Sequence, residues 1–272
     1  MRKACFFAVK QWKMAVKSLD FWGVVFVLAL FFSLFFQKAG QAVRAAGEDI
    51  SIFAMLPISV MQRDFIMLLL GGLLFVVSDA PAVFDGAAFY LLRADRAAWY
   101  LGQLFYMALV TVTYFSAVVF LQTAFYFPNV RVTGGWGSAV YSGTAFSSEY
   151  DMLFPKKLLE QNPAGAWLKC FGFFLLLGLL FALICCVANM LLENDKIGVL
   201  ICVLLTMEQM DIMDLDLHAG LLSPAGIALE GIFAQGFGIL ATACYFVFLI
   251  MLLAGVGMRA GQRLDILKGR RE

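Results

Sequence analysis

Histidine is nearly missing: His218 is the only one in 272 residues. That excludes a zinc site of the HExxH kind and any centre built on two imidazoles. No P-loop run (GxxxxGKS or GxxxxGKT) occurs, so the chain cannot cradle nucleotide phosphates in that way. The one glycine-rich stretch, Gly134-Gly135 with Gly137, lacks a preceding strand and a following helix cap. No CxxC pair occurs among the six cysteines, which read as free thiols packed as small hydrophobes. Charge is scarce too. Charged residues make up 14 % of the chain, against about 25 % in a soluble domain. The net charge of +1 gives no electrostatic basis for nucleic-acid binding.

What is abundant is apolar surface. The hydrophobic fraction is 62 %, the mean hydropathy is +0.87, and there are 28 Phe. The apolar residues fall in long runs, which excludes a cytosolic enzyme and a disordered chain. We read an all-α polytopic membrane protein with six transmembrane helices, at about 21–36, 65–83, 100–125, 167–192, 197–210 and 237–258. At about 20 residues per span, six spans take about 120 residues and leave no room for a soluble ATPase domain. The sequence shows no pair of broken helices at equivalent positions of two halves. The outer loop 128–166 is long for a structureless connector, so local order is expected there.

Orientation follows from the basic residues. With both ends cytoplasmic, thirteen Lys and Arg lie inside and seven outside. Residues 1–20 read as a cytoplasmic amphipathic interfacial helix. Phe6, Val9, Trp12, Val16 and Leu19 recur at helical spacing, and Lys10, Lys13 and Lys17 take another face toward anionic headgroups. This region is too long and too patterned for a signal peptide, so the first span is expected to remain. Residues 259–272 form a basic cytoplasmic tail.

Candidate chemistry is sparse. Asp79, near the end of the second span and two residues before Pro81, is the clearest intramembrane polar site, although a span ending there would bring it to the interface. Asp211, Asp214, Asp216 and His218 read as a solvated acidic loop, since their spacing does not match an EF-hand. No catalytic, cofactor-binding or metal-binding set emerges, and the chain reads as not an enzyme.

The order of parts does point to a family. A basic amphipathic helix precedes the first span. A short cytoplasmic link, Phe89-Tyr90-Leu91-Leu92-Arg93-Ala94-Asp95-Arg96-Ala97-Ala98-Trp99-Tyr100-Leu101-Gly102-Gln103, leads into the third. Leu222-Ser223-Pro224 opens a short apolar stretch before the last span. This arrangement resembles the permease subunit of type-2 ABC transporters, an exporter family. Arg93, Arg96, Trp99 and Gly102 fit that family's link, while Gln103 stands where Lys is common.

The resemblance implies a separate cytoplasmic ABC ATPase subunit that docks at Tyr90, Arg93, Asp95 and Arg96. ATP and Mg would be bound by that subunit, and no cofactor by this chain. It also implies a second permease subunit, in a homodimer or with a related chain. The location implied is the cell membrane, the cytoplasmic membrane of a bacterium. The substrate implied by the Phe-rich walls is amphipathic, lipidic or peptide-like. Two other readings share the composition: a non-transporting assembly or immunity factor that binds a partner, and an intramembrane enzyme.

Overall fold

The computed structural model describes residues 2–60, 63–81, 96–145, 156–194, 196–214 and 223–263. Within them the chain is mostly helical. Helix α1 (Arg2–Lys17) leads through Ser18 into α2 (Leu19–Ala46). The short strand β1 (Ile50–Ser51) and a 3-10 turn (Ile52–Ala54) precede α3 (Met55–Val60) and α4 (Arg63–Val77). Helix α5 (Arg96–Tyr126) is followed by β2 (Val130–Arg131), α6 (Ser138–Tyr141) and α7 (Lys156–Leu159). Then come α8 (Pro163–Leu192), α9 (Ile197–Asp214), α10 (Pro224–Phe233) and α11 (Phe237–Arg263). Four helices, α2, α5, α8 and α11, are long and apolar enough to cross a membrane.

Local chemistry sets several helix ends. Ser18, Asn162 and Ser223 accept hydrogen bonds from the backbone N–H groups of Phe21, Ala164 and Gly226. These are N-caps, and Pro163 and Pro224 open the first turns of α8 and α10, where a missing N–H costs nothing. Helix α2 stops at Gly47, whose φ of 67° suits a residue without Cβ.

Contacts trace the chain up and down one bundle. Ala4 and Phe7 lie beside Gly102 near the start of α5, and Gly40 lies against the backbone of Phe125 near its end. Helix α4 returns: the Tyr114 hydroxyl donates to the Leu69 carbonyl at 2.7 Å, and the turn after Val77 reaches Asn189 of α8. Helix α8 runs from the Phe125 end toward Tyr100, α9 starts beside Cys185, and α11 ends with Gly257 and Gly261 against Tyr100 and Trp99. The start of α1 and the end of α11 therefore lie at one end of the bundle, the Arg96 end.

The core sits around α8. Two thirds of its most apolar stretch (67 %) is buried, against 6 % for α11. A helix that is hydrophobic all round belongs in the interior. Gly178 makes this possible, because a Cβ there would come within 3.0 Å of Leu73, Phe115 and Thr111. Phe32, Phe35 and Phe36 of α2 close on Phe65 of α4, with ring centroids 4.9 to 5.5 Å apart. The outer faces of α2, α9 and α11 expose Phe26, Leu204, Phe248 and Met251. Apolar exposure of this extent suits a lipid-facing surface.

The opposite end carries a small cap. The expected local order of loop 128–166 is present at 128–145 and 156–162. β1 pairs with β2 in parallel, and Trp136, fully buried, donates its indole N–H to the Leu159 carbonyl at 3.2 Å. The Ser138 hydroxyl donates to the Asp49 carboxylate at 2.6 Å and holds the carboxyl below its ordinary value of 3.8. Arg44 donates to the Phe125 and Phe127 carbonyls, satisfying the last turn of α5. Gly137, at φ 95°, has no room for a Cβ between Asp49 and Ser51.

Several expectations need correction. The first helix does not stop near Phe36 but continues to Ala46, because the Arg44 contacts tie its end to α5. Ahead of the second span, whose expected start at 65 stands, residues 52–60 form a short helical arm that meets 65–77 at 93°. Helix α4 ends at Val77, before Pro81, which cannot continue it. Helix α9 runs four residues past Met210 to Asp214. Two residues of strand pairing interrupt the all-α reading. The pattern on α1 is an addition to the amphipathic reading: Ala4, Phe7, Ala8 and Gln11 are buried against the protein, whereas Phe6, Val9, Lys10, Lys13 and Lys17, and Leu19 at the start of α2, are exposed. Half-buried Trp12 is held by its indole N–H, 2.8 Å from the Thr113 hydroxyl.

The α4–α5 contact is testable at adjacent glycines. A Cβ on Gly72 would stand 2.5 Å from the Tyr114 hydroxyl, whereas one on Gly71 meets nothing within 4 Å. Gly72→Ala should therefore destabilise the protein by about 1–3 kcal/mol, the usual cost of overpacking. Gly71→Ala should be neutral or slightly stabilising, since alanine favours helix. Thermal unfolding of both variants in the same detergent measures the difference.

Candidate functional site

The Arg96 end buries several polar side chains, among them Gln11, Gln103 and Asn189. Arg96 opens α5 and donates a guanidinium N–H to the Gln262 carbonyl in the last turn of α11. This is a cation at a helix C-terminus, where carbonyls lack partners and the dipole is negative. One turn later, Trp99 and Tyr100 are 3 % and 0 % exposed. They lie against Gly257 and Gly261, a small-xxx-small pair that lets α11 approach α5 closely. Cys186 of α8 stands near the Tyr100 hydroxyl. Among the described residues, the Trp99 indole N–H and the Tyr100 hydroxyl have no hydrogen-bond partner.

A second group lies where α4, α8 and α9 meet. Asn189 is 3 % exposed. Its amide donates to the carbonyls of Ser78 at 3.2 Å and Ala80 at 2.7 Å, and its oxygen accepts from the Gly198 N–H at 2.7 Å. Both donor hydrogens and one acceptor direction of this side chain therefore go to backbone, and the amide lies 3.8 Å from the Cys185 sulfur. Asp79, between the two gripped carbonyls, is exposed in the turn beyond α4 and has Tyr106 and Cys185 in its neighbourhood.

Of the sequence-derived docking residues, Tyr90, Arg93 and Asp95 lie outside the described residues, as do Asp216 and His218 of the acidic cluster. Arg96 is in place and is engaged by α11. Asp79 and Arg96 are the two flanks of the link, and each is fixed to a different part of the bundle. Sequence reasoning missed Asn189. Its signal was a lone carboxamide in the apolar run Cys185-Cys186-Val187-Ala188-Asn189-Met190, overlooked because only ionisable residues were weighed. Among the described residues, no three His, Cys, Asp or Glu side chains converge on a metal position.

The α5–α11 seam has a distinguishing test. Gly257 has no space for a Cβ beside the Tyr100 ring. Gly257→Ala should lower the unfolding temperature in detergent, and so should Tyr100→Ala, which leaves a cavity. Because the collision is with the Tyr100 side chain, the double variant should be no less stable than Tyr100→Ala alone, a strongly non-additive result.

Comparison with known proteins gives this site no name: no protein-family model, curated protein or solved structure matches the chain.

Proposed function

We propose that the chain is the permease subunit of a type-2 ABC exporter. It moves an amphipathic, lipidic or peptide-like substrate across the cell membrane, powered by a separate cytoplasmic ATPase subunit that binds ATP and Mg. The observation that carries the reading is the clustering at one end of the bundle. The start of α1, the end of α11 and both flanks of link 82–95 lie there, and each flank is fixed, by Asn189 or through Gln262. A docking link between two fixed posts passes a push into the helices.

Four helices long and apolar enough to cross a membrane, five with the bent pair counted as one, support the reading, and with the shorter α9 the chain makes six spans with both termini in the cytoplasm. The bent pair α3–α4 is the second span, and α9, with α10 following it, the fifth. The lysine face of α1 rests at the inner interface, and its Ala4–Gln11 face holds it to α5. Two copies, or this chain and a related one, enclose the pathway, and rigid-body motion of one against the other alternates access.

Two measurements test the reading. After Cys5 and Cys244, the exposed native thiols, are replaced by serine, a cysteine at Gly134 should react with an impermeant maleimide in intact cells, and one at Lys268 should not. Reaction at Lys268 would sink the topology. For docking, Tyr90→Ala with Arg93→Glu leaves the Arg96–Gln262 contact untouched. It should preserve insertion but release the co-purifying ATPase subunit. Loss of one aromatic anchor costs about 2 kcal/mol, roughly thirtyfold in affinity. Full recovery of the complex from this variant removes the link from the docking surface.

A further inference from the structure

We propose that Cys185 of α8 and Cys202 of α9 form a two-sulfur site for a soft monovalent cation, of which copper(I) is the biological example. The inference is independent of the permease reading. It starts from the seam between α8 and α9. A Cβ on Gly198 would fall on the Cys185 carbonyl, so the two backbones touch there. One turn further along α9, the Cys202 thiol donates to the Phe181 carbonyl at 3.5 Å. In an α-helix the carbonyl of residue 181 accepts the N–H of residue 185, so the Cys202 sulfur lies within one turn of Cys185. The two thiols are in side-chain hydrogen-bonding range of each other. Both residues are 0 % exposed.

The number and kind of ligands narrow the ion. Zinc takes four ligands, and calcium or magnesium takes a shell of oxygens. Among the described residues, no third His, Cys, Asp or Glu side chain joins this pair at a metal position. Soft sulfur ligands in low number select a soft ion such as copper(I). Metal–thiolate bonds are about 2.3 Å long, so a near-linear sulfur–metal–sulfur unit spans roughly 4.6 Å. Adjacent thiols reach that separation by small side-chain rotations, with no shift of either helix. Each metal–sulfur bond replaces an S–H bond, and the two protons leave to solvent.

The surroundings suit a cation held by thiolates. The Asn189 amide, 3.8 Å from the Cys185 sulfur, is a donor to the thiolate that forms there. Asn189 lies one turn, about 6 Å, beyond Cys185 along α8. It bonds the carbonyls on either side of Asp79. The Asp79 carboxylate is exposed, and it is close enough to act on charge at Cys185. It therefore draws a cation to the end of the seam that solvent reaches. Packing alone would be served as well by two alanines, without a carboxamide or a carboxylate beside them.

The test uses the full chain in detergent, reduced and free of oxygen, with the exposed thiols removed by Cys5→Ser and Cys244→Ser. Copper(I) is supplied as its complex with a coloured copper(I) chelator. The protein should withdraw one copper(I) per chain, and X-ray absorption should show two sulfur neighbours. Loading should raise the melting temperature, because the ion binds the folded state. Adding Cys185→Ser or Cys202→Ser should weaken binding by more than about a hundredfold, since outer-shell changes alone cost about ten- to a hundredfold. Asn189→Leu should weaken it about tenfold. Without copper, the serine variants should melt with their parent. If they do not fold, the absorption spectrum of the parent decides.

The inference is overturned if the chelator keeps all the copper, or if either serine variant binds as tightly as the parent. Fewer than two sulfur neighbours overturns it too. So does one ion per two chains, which places the site between copies. Recovery of the reduced protein with Cys185 and Cys202 joined in a disulfide also overturns it.

Discussion

The burial of α8 organises the molecule. An apolar helix 30 residues long that is enclosed on nearly every side needs neighbours that approach without clashing. Gly178 lets α4 and α5 close in, Gly198 lets α9 close in, and Gly231 lets α10 lie against Phe173. Helices α4, α9, α10 and α11 all meet α8, and α2 and α1 join through α5. Large-to-small packing of this kind is gained only when the shapes match, so the small residues on these seams carry more of the fold than the many Phe and Leu on the outside.

The ends of the helices pose a different problem. In an apolar environment each unpaired N–H and C=O is expensive, and irregular backbone survives only where protein groups satisfy it. The same solution appears at both ends of the bundle: a side chain from one helix caps the backbone of another. Arg44 serves the end of α5, Lys169 bonds the Ala234 carbonyl beyond α10 at 3.0 Å, Asn189 serves α4 and α9, and Arg96 serves α11. These caps do more than satisfy hydrogen bonds. Each one joins two helices that are distant in sequence, so the places where the chain leaves regular structure are also the places where helices are mechanically linked.

That economy bears on function. On the N-terminal side of 82–95 the turn after α4 is held by Asn189, and on the C-terminal side Arg96 is held by the Gln262 carbonyl. The two sides are therefore fastened to different helices, α8 and α11. The opposite end is built otherwise: the Asp49–Ser138 contact, the β1–β2 pair and Trp136 make a compact cap whose hydrogen bonds are local to that end. The structure is therefore asymmetric along its length, with a closed cap at one end and a fastened link at the other.

Much of this was legible in the residues. Helix class, apolar spans and the position of most helices follow from run length, since a bilayer-sized apolar run has few other stable states. Asp79 was visible as a break ahead of Pro81, and the order in loop 128–166 was visible in its length. The bend at 52–77 was not. The span was read from 65 onward, and the short apolar arm at 52–60 gave no sign of the angle at which it meets that span. Nor did composition show which side of α1 meets the protein, because that is set by the fit of Ala4 and Phe7 against Gly102 of a distant helix. The role of Asn189 was equally hidden, because its three partners are backbone groups, which no sequence distinguishes. Sequence by itself determined that the chain forms apolar helices and roughly where they begin and end, because those properties depend on local composition. Only tertiary structure decided which faces meet and which side chains cap which helices, because close approach depends on shape and position across elements far apart in the chain.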